Sequence, residues 1–365
     1  MCEFKREPIM IENYTYILHE KINDEVINKW RLFEEKNGST IFQSTSWSKY
    51  WNITYSSSHN YIQPVIIFIY YKSSLVMILP LCIKKMNFNI KSLTWLGYPY
   101  NDICFPLIRD NFQFDEINFK HVCKEIINRL KSKLDVIILN NQLLEYGANK
   151  NPFLIFFKSF KSNINYQITN KVFEEYKKEI GLKNNSDVFK KIKMLKKQGE
   201  IEFVFSEKKD IRKVSNFIFN NKISQYEKKR KNHIFNNKFN RDFIQNLDQF
   251  DGTIFSYLTL NNEIIAAHVG YIYKDTFYHI MPTHNVKFKK CSPGSIILYN
   301  MIKSSFKLNL NKFDFTIGSE QYKNRWSDKK NLLYTYVKPL KIKGYVYLLY
   351  SIIKINWIKY FKKID

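Results

Sequence analysis

The stretch from Thr253 to Trp326 constrains the fold most. It reads TIFSYLTL, NN, EIIAAHVGYIY, KD, TFYHIMPTH: three β-like runs joined by two-residue polar turns, the pattern of a meander. A Lys-rich loop, VKFKKCSPG, follows and opens an amphipathic run with helical spacing from Ser295 to Leu308. Another strand, Phe313 to Ile317, stops at Gly318, and a polar-aromatic cluster comes directly after it: Glu320, Tyr322, Lys323 and Trp326. A helix N-terminus behind a basic loop offers N–H donors and positive charge to phosphate oxygens. A strand ending at glycine can set unlike functional groups along one rigid edge.

A chain of 365 residues exceeds one ordinary core, so two domains are expected. The charged residues sum to +25. One reading is an anionic partner: nucleic acid, an anionic membrane surface or a phosphorylated substrate. The other is compositional drift, because Lys, Asn, Ile, Phe and Tyr are abundant while Arg, the better bidentate phosphate ligand, is scarce beside Lys. The second reading is preferred, and bulk nucleic-acid binding is not expected. Cys2, Cys82, Cys104, Cys123 and Cys291 form no C-x-x-C motif, which suits a reducing cytoplasm. The N-terminus lacks the apolar core of a signal peptide, and no apolar run approaches the roughly 20 residues that span a bilayer.

Taken in order, a helix is expected over DEVINKWRLFEEK with Asp24 as its cap. A shorter one is expected after Ser46, showing Trp47, Tyr50 and Trp51 on one side. Gln63 to Lys85 reads as a hairpin of two nearly continuous apolar arms. SLTWLG, a turn-rich loop with Asp102, a helix from Asp115 to Leu130 and the strand DVIILN follow. Residues 141–165 look like a boundary, rich in Asn and Lys with Gly147 and Pro152. The expected organisation is a first domain over 1–150, a second over 166–340, and a tail over 341–365. Asp187 to Gln198 reads as a helix whose lysines form a basic, solvated face. FIYYKSSLVMILPL and YLTLNNEIIAAHVG share one form, a weak internal repeat. The tail interleaves aromatics and lysines at helical spacing, which fits either an interfacial helix on an anionic membrane or a helix docked on the protein.

The order of these elements, with AAHVG, SPGS and FDFTIGSEQYKNRW, resembles the CelD-like branch of the GNAT acetyltransferases, related to the FemAB peptidyltransferases. The first half adds Phe42, Trp47 and Trp51 in an F-x-x-x-x-W-x-x-x-W pattern, then Leu79-Pro80-Leu81, Leu96-Gly97 and Asp102. The resemblance implies an α/β protein of two tandem GNAT-like (FemAB-like) domains with mixed sheets and a cleft between them. It implies an acyltransferase that uses acetyl-CoA or another acyl-CoA as co-substrate. The acceptor would be an amine or hydroxyl of an amino sugar or another cell-envelope or polysaccharide precursor, attacked directly in a ternary complex. No metal is implied.

Within that frame Lys287, Lys289, Lys290, Ser292, Gly294 and Ser295 are the candidates for holding the cofactor, although the family's usual R/Q-x-x-G-x-G/A is reduced here to one Gly and a Pro. Tyr322 stands where the fold often carries a general acid, and is cast as proton donor to the leaving thiolate. Lys323 is its electrostatic partner, Glu320 a base or orienting carboxylate or simply an exposed loop residue, and His268 a base or a satisfied core histidine. Asp102, Trp47, Asp314 and Trp326 are candidate substrate-side residues, with turn, core or strand-end roles as the alternatives. A Ser-His-Asp set and a metal-ligand cluster are not apparent. Two rival functions remain: an aminoacyl transferase using charged tRNA, and a non-catalytic scaffold for anionic glycans or membranes. The expected location is the cytoplasm, with a peripheral contact at the inner membrane face through the tail.

Overall fold

The computed structural model describes residues 9–11, 13–56, 62–169, 172–178, 182–206, 211–228, 246–318 and 320–361. The chain divides into two units, Met1–Asn163 with Leu332–Asp365, and Ile164–Asn331.

In the first unit the strands are β1 (Ile9–Ile11), β2 (Tyr14–His19), β3 (Ile62–Tyr71), β4 (Ser74–Lys85), β5 (Lys91–Trp95), β6 (Leu107–Ile108) and β7 (Val136–Leu143). They are ordered β1-β2-β3-β4-β5-β7, with β6 on β4. The β3–β4 hairpin turns through Lys72 and Ser73, both at positive φ, as the right-handed twist of the flanking strands requires. Its apolar arms are buried from Val65 to Tyr70 and from Val76 to Ile83. Helix α1 (Asp24–Asn37) is capped by Asn23, whose Oδ1 accepts from the Val26 N–H at 3.0 Å. Asp24, the expected cap, is instead in the first turn, where its charge meets the helix dipole. Helix α2 (Thr45–Ser56) likewise starts earlier than expected, because Ser44 Oγ rather than Ser46 accepts from the Trp47 N–H at 3.1 Å. Helix α3 (Glu116–Leu130), capped by Asp115, crosses from β5 to β7, which pair in parallel. Trp30, Trp47, Trp51 and Trp95 are buried in this unit.

After the small strands β8 (Glu145–Tyr146) and β9 (Asn149–Lys150) and helix α4 (Pro152–Phe156), the chain enters the second unit within β10 (Ser159–Ile168). Helix α5 (Phe173–Tyr176), helix α6 (Leu182–Lys196), strand β11 (Ile201–Ser206) and helix α7 (Ile211–Lys228) come before the meander β12 (Thr253–Leu260), β13 (Glu263–Tyr273) and β14 (Thr276–His284). Asn261 and Asn262 turn between β12 and β13 at φ 51° and 65°, a left-handed pair that asparagine tolerates. Helix α8 (Pro293–Lys307) crosses to β15 (Lys312–Ile317), then helix α9 (Gln321–Trp326) and strand β16 (Lys329–Pro339) follow. The chain returns to the first unit within β16 and ends in helix α10 (Ile342–Phe361).

The sheet of the second unit runs β10-β15-β14-β13-β12-β11, antiparallel except for β14 beside β15. Its core joins Ile254, Leu258, Phe277, Phe313 and Phe315 to Ile297, Met301 and Ile302 of α8. On α6, Val188 and Leu195 face inward while Lys190, Lys193 and Lys196 are exposed, so the basic run is a solvated face. The two units share one topology. Four antiparallel strands (β2 to β5, and β11 to β14) lead through a crossover helix (α3, α8) to a parallel strand (β7, β15), flanked by an antiparallel one (β16, β10). The weak sequence repeat is therefore a repeat of fold.

Candidate active site

The site begins where a ladder stops. Parallel pairing of β14 with β15 covers Thr276–Lys312, Phe277–Phe313 and Tyr278–Asp314, and among the described residues it goes no further. The strands part toward their C-terminal ends. Two things build that parting. On β13 Val269 faces Met281 while Gly270 faces His279, so Ile280 is an extra residue, a bulge that bends β14. On β15 Ile317 faces Asn165 while Asp314 faces Gln167, so β15 also carries an extra residue. Thr316 adopts φ 57°, a left-handed conformation that costs a β-branched residue about 1–3 kcal/mol. It is held there by its N–H, which donates to Asp314 Oδ1 at 2.7 Å, and by its hydroxyl, which donates to the His279 carbonyl at 3.5 Å.

Each strand delivers a different group at the parted end. Behind β14, residues Val286–Cys291 form a 3₁₀ segment in which Lys287, Lys289 and Lys290 are exposed. Ser292, at φ 47°, is the N-cap of α8, but its side chain makes no capping bond. Ser295 and Ile296 donate their N–H groups to the Ser292 carbonyl, Pro293 has none to give, and the Gly294 N–H has no partner among the described residues. A Cβ on Gly294 would lie 3.3 Å from His284 Nδ1 at the end of β14, so a side chain here would crowd the strand end. The Lys and Gly residues proposed from sequence for the cofactor thus lie in the 3₁₀ segment and first turn that open this helix.

Behind β15, Gly318 sits at φ 148°, and a Cβ there would lie 2.0 Å from Glu320 Oε2 and 2.6 Å from Lys323 Nζ. The missing side chain lets Lys323 tuck under the strand end. Its ammonium is buried, donates to the Ile317 carbonyl and pairs with Glu320 at 3.4 Å, while Glu320 stays exposed. Tyr322 projects from the same short helix. Its ring centre lies 6.3 Å from that of His279 on β14 and 6.4 Å from that of Phe315 on β15. Those residues come one position after the last paired ones on each strand, so the phenol ring spans the mouth of the parting. Burial, reinforced by the negative charge of Glu320, pushes its pKa well above the usual phenol range, which keeps the hydroxyl protonated.

His268 does not stand alone on its strand. Its ring stacks on His279 with centroids 4.4 Å apart and planes 14° apart, both residues being buried. His268 Nε2 accepts from the N–H of the bulged Ile280 at 3.2 Å, which places the proton of the neutral ring on Nδ1. Burial, and then the charge of Lys222, lower its pKa to about 3, so it stays neutral across the physiological range. His279 is also held neutral by burial, and by His268, Lys323 and Lys222. Among the described residues neither Nδ1 has a hydrogen-bond partner, nor does Ser256 Oγ, opposite His268 on β12.

The remaining candidates do not join this group. Asp314 is buried and accepts from Asn165 Nδ2 at 2.6 Å and Gln167 Nε2 at 2.8 Å, while Asn331 Nδ2 donates to the oxygen of each of those two amides. Burial lifts its carboxyl to about 6, against the pull of those donors. Trp326 is in the core, its carbonyl accepting from the Tyr176 hydroxyl at 2.9 Å. Trp47 and Asp102 belong to the first unit. Trp47 Nε1 donates to Asn101 Oδ1 at 3.0 Å, and Asp102 is half-buried in the adjoining loop.

That loop distinguishes the units. β5 and β7 also part after two paired positions, Ser92–Val136 and Leu93–Ile137. Here, however, the chain fills its own gap. Cys104 donates to the Asn141 carbonyl at 2.8 Å and accepts from the Leu143 N–H at 3.0 Å, and Ile103, Cys104 and Phe105 are buried there. In the second unit no described segment pairs into the equivalent place.

His279 was not evident from sequence. In TFYHIMPTH it reads as one polar residue in an alternating strand, and only the bulge turns it toward Tyr322. Asn165, Gln167 and Asn331 were missed too, because they lie far apart in the chain.

Residues 183–324 match a family described as an acetyltransferase (GNAT) domain. No curated protein matches the chain. Among solved structures, similarity extends to a conserved protein of unknown function from Bacteroides thetaiotaomicron VPI-5482, 12% identical with a TM-score of 0.55 over 89% of this chain and 99% of that one. FemX is 11% identical with a TM-score of 0.55, over 92% and 96% of the two chains. A tandem GNAT protein from the clavulanic acid biosynthesis pathway is 7% identical with a TM-score of 0.51, over 90% and 98%. The second unit therefore carries a GNAT acetyltransferase domain, and most of the chain has the fold of a tandem GNAT protein.

Proposed function

We propose that the second unit transfers an acyl group from acyl-CoA to an amine or hydroxyl, in the manner of the CelD-like branch, with an amino sugar or another cell-envelope precursor as acceptor. The observation that carries this reading is the parted β14–β15 seam, with an uncapped helix N-terminus at one strand end and a protonated phenol at the other. The residues fit the co-substrate. Gly294 offers an unused N–H beside exposed Lys287, Lys289 and Lys290, which suits phosphate oxygens, and the parted seam leaves room for an extended chain.

Acyl transfer forms a bond from the acceptor nitrogen or oxygen to the thioester carbonyl carbon and breaks the carbon–sulfur bond. The leaving thiolate must then take a proton. Tyr322 supplies it: a phenol is protonated at neutral pH, and the buried Lys323 ammonium, by steadying the negative charge left on the phenolate, works against the burial and Glu320 charge that make it a weaker acid. Glu320, exposed beside them, takes the proton lost by the acceptor. His268 acts as a positioning residue: its Nε2 holds the bulge that bends β14. Asp102 and Trp47, proposed from sequence for the substrate, lie in the first unit, whose own seam is filled by its chain.

The test is native mass spectrometry of the purified chain with a panel of acyl-CoA thioesters, then with uncharged and charged tRNA. A retained thioester supports the proposal. Selective retention of charged tRNA would replace it with aminoacyl transfer, and retention of neither would favour a scaffold.

A further inference from the structure

We propose that the C-terminal helix seats the first unit on an anionic lipid surface. Helix α10 is anchored to its own unit at one end. Leu340 and Lys341 donate their N–H groups to the Asp135 carbonyl, and Lys341 Nζ donates to the Ser132 carbonyl at 2.8 Å. Gly344 rests against the same place, where a Cβ would lie 2.1 Å from the Asp135 oxygen. That contact fixes which face looks inward: Gly344 is buried, and Tyr347, Leu348 and Ser351 are half-buried.

The outward face is apolar as well. Ile342, Val346 and Leu349 are 83%, 60% and 62% exposed, with Tyr345 and Tyr350 beside them at 57% and 43%. Over its described side chains the helix leaves a largely apolar outer face uncovered, which is unusual for a surface helix, whose outer face is ordinarily polar. The patch extends beyond the helix. Phe88, 68% exposed at the tip of the β4–β5 loop, meets the Tyr350 ring edge-on at 5.2 Å. Exposed lysines border it, Lys343 on the helix and Lys85 and Lys91 on either side of Phe88. Aliphatic and tyrosine side chains bordered by lysines match the two layers of an anionic bilayer surface, acyl boundary and headgroups. Charge complementarity decides between occupants. A second copy of a chain carrying +25 would bring the same lysines together across a symmetric contact, whereas anionic headgroups neutralise them. No described helix is long and apolar enough to cross a membrane, so the helix lies in the surface plane.

The experiment is co-sedimentation of the full chain with vesicles of phosphatidylcholine mixed with phosphatidylglycerol, and with phosphatidylcholine alone. The chain is expected to sediment with the mixed vesicles, less with the neutral ones, and less again as salt rises. The double substitution Val346→Glu and Leu349→Glu, at exposed positions where folding is not at stake, should weaken that binding at least ~10-fold, since a charge at the acyl boundary opposes burial. Ile117→Glu, at an exposed site on α3, should leave it unchanged. Equal sedimentation of parent and double variant would overturn the proposal. So would a parent that ignores vesicles but forms a concentration-dependent dimer abolished by the same substitutions, which would assign the patch to a second copy.

Discussion

Tyr322 and His279 face each other across the point where β14 and β15 part, with ring centres 6.3 Å apart. One comes from the helix after β15 and the other from the bulged strand β14, so their contact reports that both distortions are in place. A phenol held there is placed to give a proton to a group lying between the strands, and stabilisation of its phenolate is what offsets the burial that weakens it as an acid.

Replacing Tyr322 with Phe removes that proton while keeping the ring contacts with His279 and Phe315. Turnover, followed as thiol release from acyl-CoA, is expected to fall roughly a hundredfold, with affinity for coenzyme A nearly intact. A lowered melting temperature at full turnover would instead mark Tyr322 as packing alone.

Gly318→Ala tests the Glu320–Lys323 pair. Its Cβ would meet both charged groups, at 2.0 Å and 2.6 Å, from a backbone with φ 148°. A loss of about 1–3 kcal/mol in stability is expected from strain at such a position. Urea unfolding of parent and variant measures it, and turnover should fall in the same variant because Lys323 is displaced.

His268→Leu deprives the bulged Ile280 N–H of its acceptor, whereas His268→Gln offers another. The first should cost about 1–3 kcal/mol and the second less. His268, lowered to about 3, binds a proton less readily folded than unfolded, so it contributes stability above pH 6.5 that is lost as the pH falls. Unfolding of parent and His268→Gln at pH 7 and pH 5 should show the parent losing more on acidification.

Much of the second unit was legible in its sequence because its signals are local. Two-residue turns fixed the meander, and Ser292-Pro293-Gly294 marked the start of α8. The cluster after Gly318 could be read because it is contiguous. The seam could not, since it depends on the bulges at Ile280 and near Thr316, and a bulge is set by pairing with a strand distant in sequence. The same reason hid the filled seam of the first unit, where Cys104 reaches Asn141 and Leu143. Helix caps were missed by one or two residues, because Asn23 and Ser44 compete with equally plausible neighbours, Asp24 and Ser46.

Asp314 gives a pH signature of opposite sign to His268. Its carboxyl rises from 3.8 to about 6 in the folded chain, worth about 3 kcal/mol, so between those values the native state keeps a proton that the unfolded chain has lost. Its contribution is full below that window and disappears as the pH rises through about 6. Asp314→Asn removes this contribution, so the stability difference, parent minus variant, should shrink between pH 4.5 and pH 7 in urea unfolding. A difference independent of pH would show that Asp314 keeps an ordinary carboxyl.

The central claim is that the uncapped N-terminus of α8 and the parted strands beside it hold an acyl-CoA. Isothermal titration of the purified full chain with acetyl-CoA, with Gly294→Val in parallel, tests it most directly. The account predicts saturable binding by the parent and at least ~10-fold weaker binding by a folded Gly294→Val, because the valine side chain crowds His284 and covers the Gly294 N–H. Undetectable binding by the parent, or equal affinity in the folded variant, would contradict it.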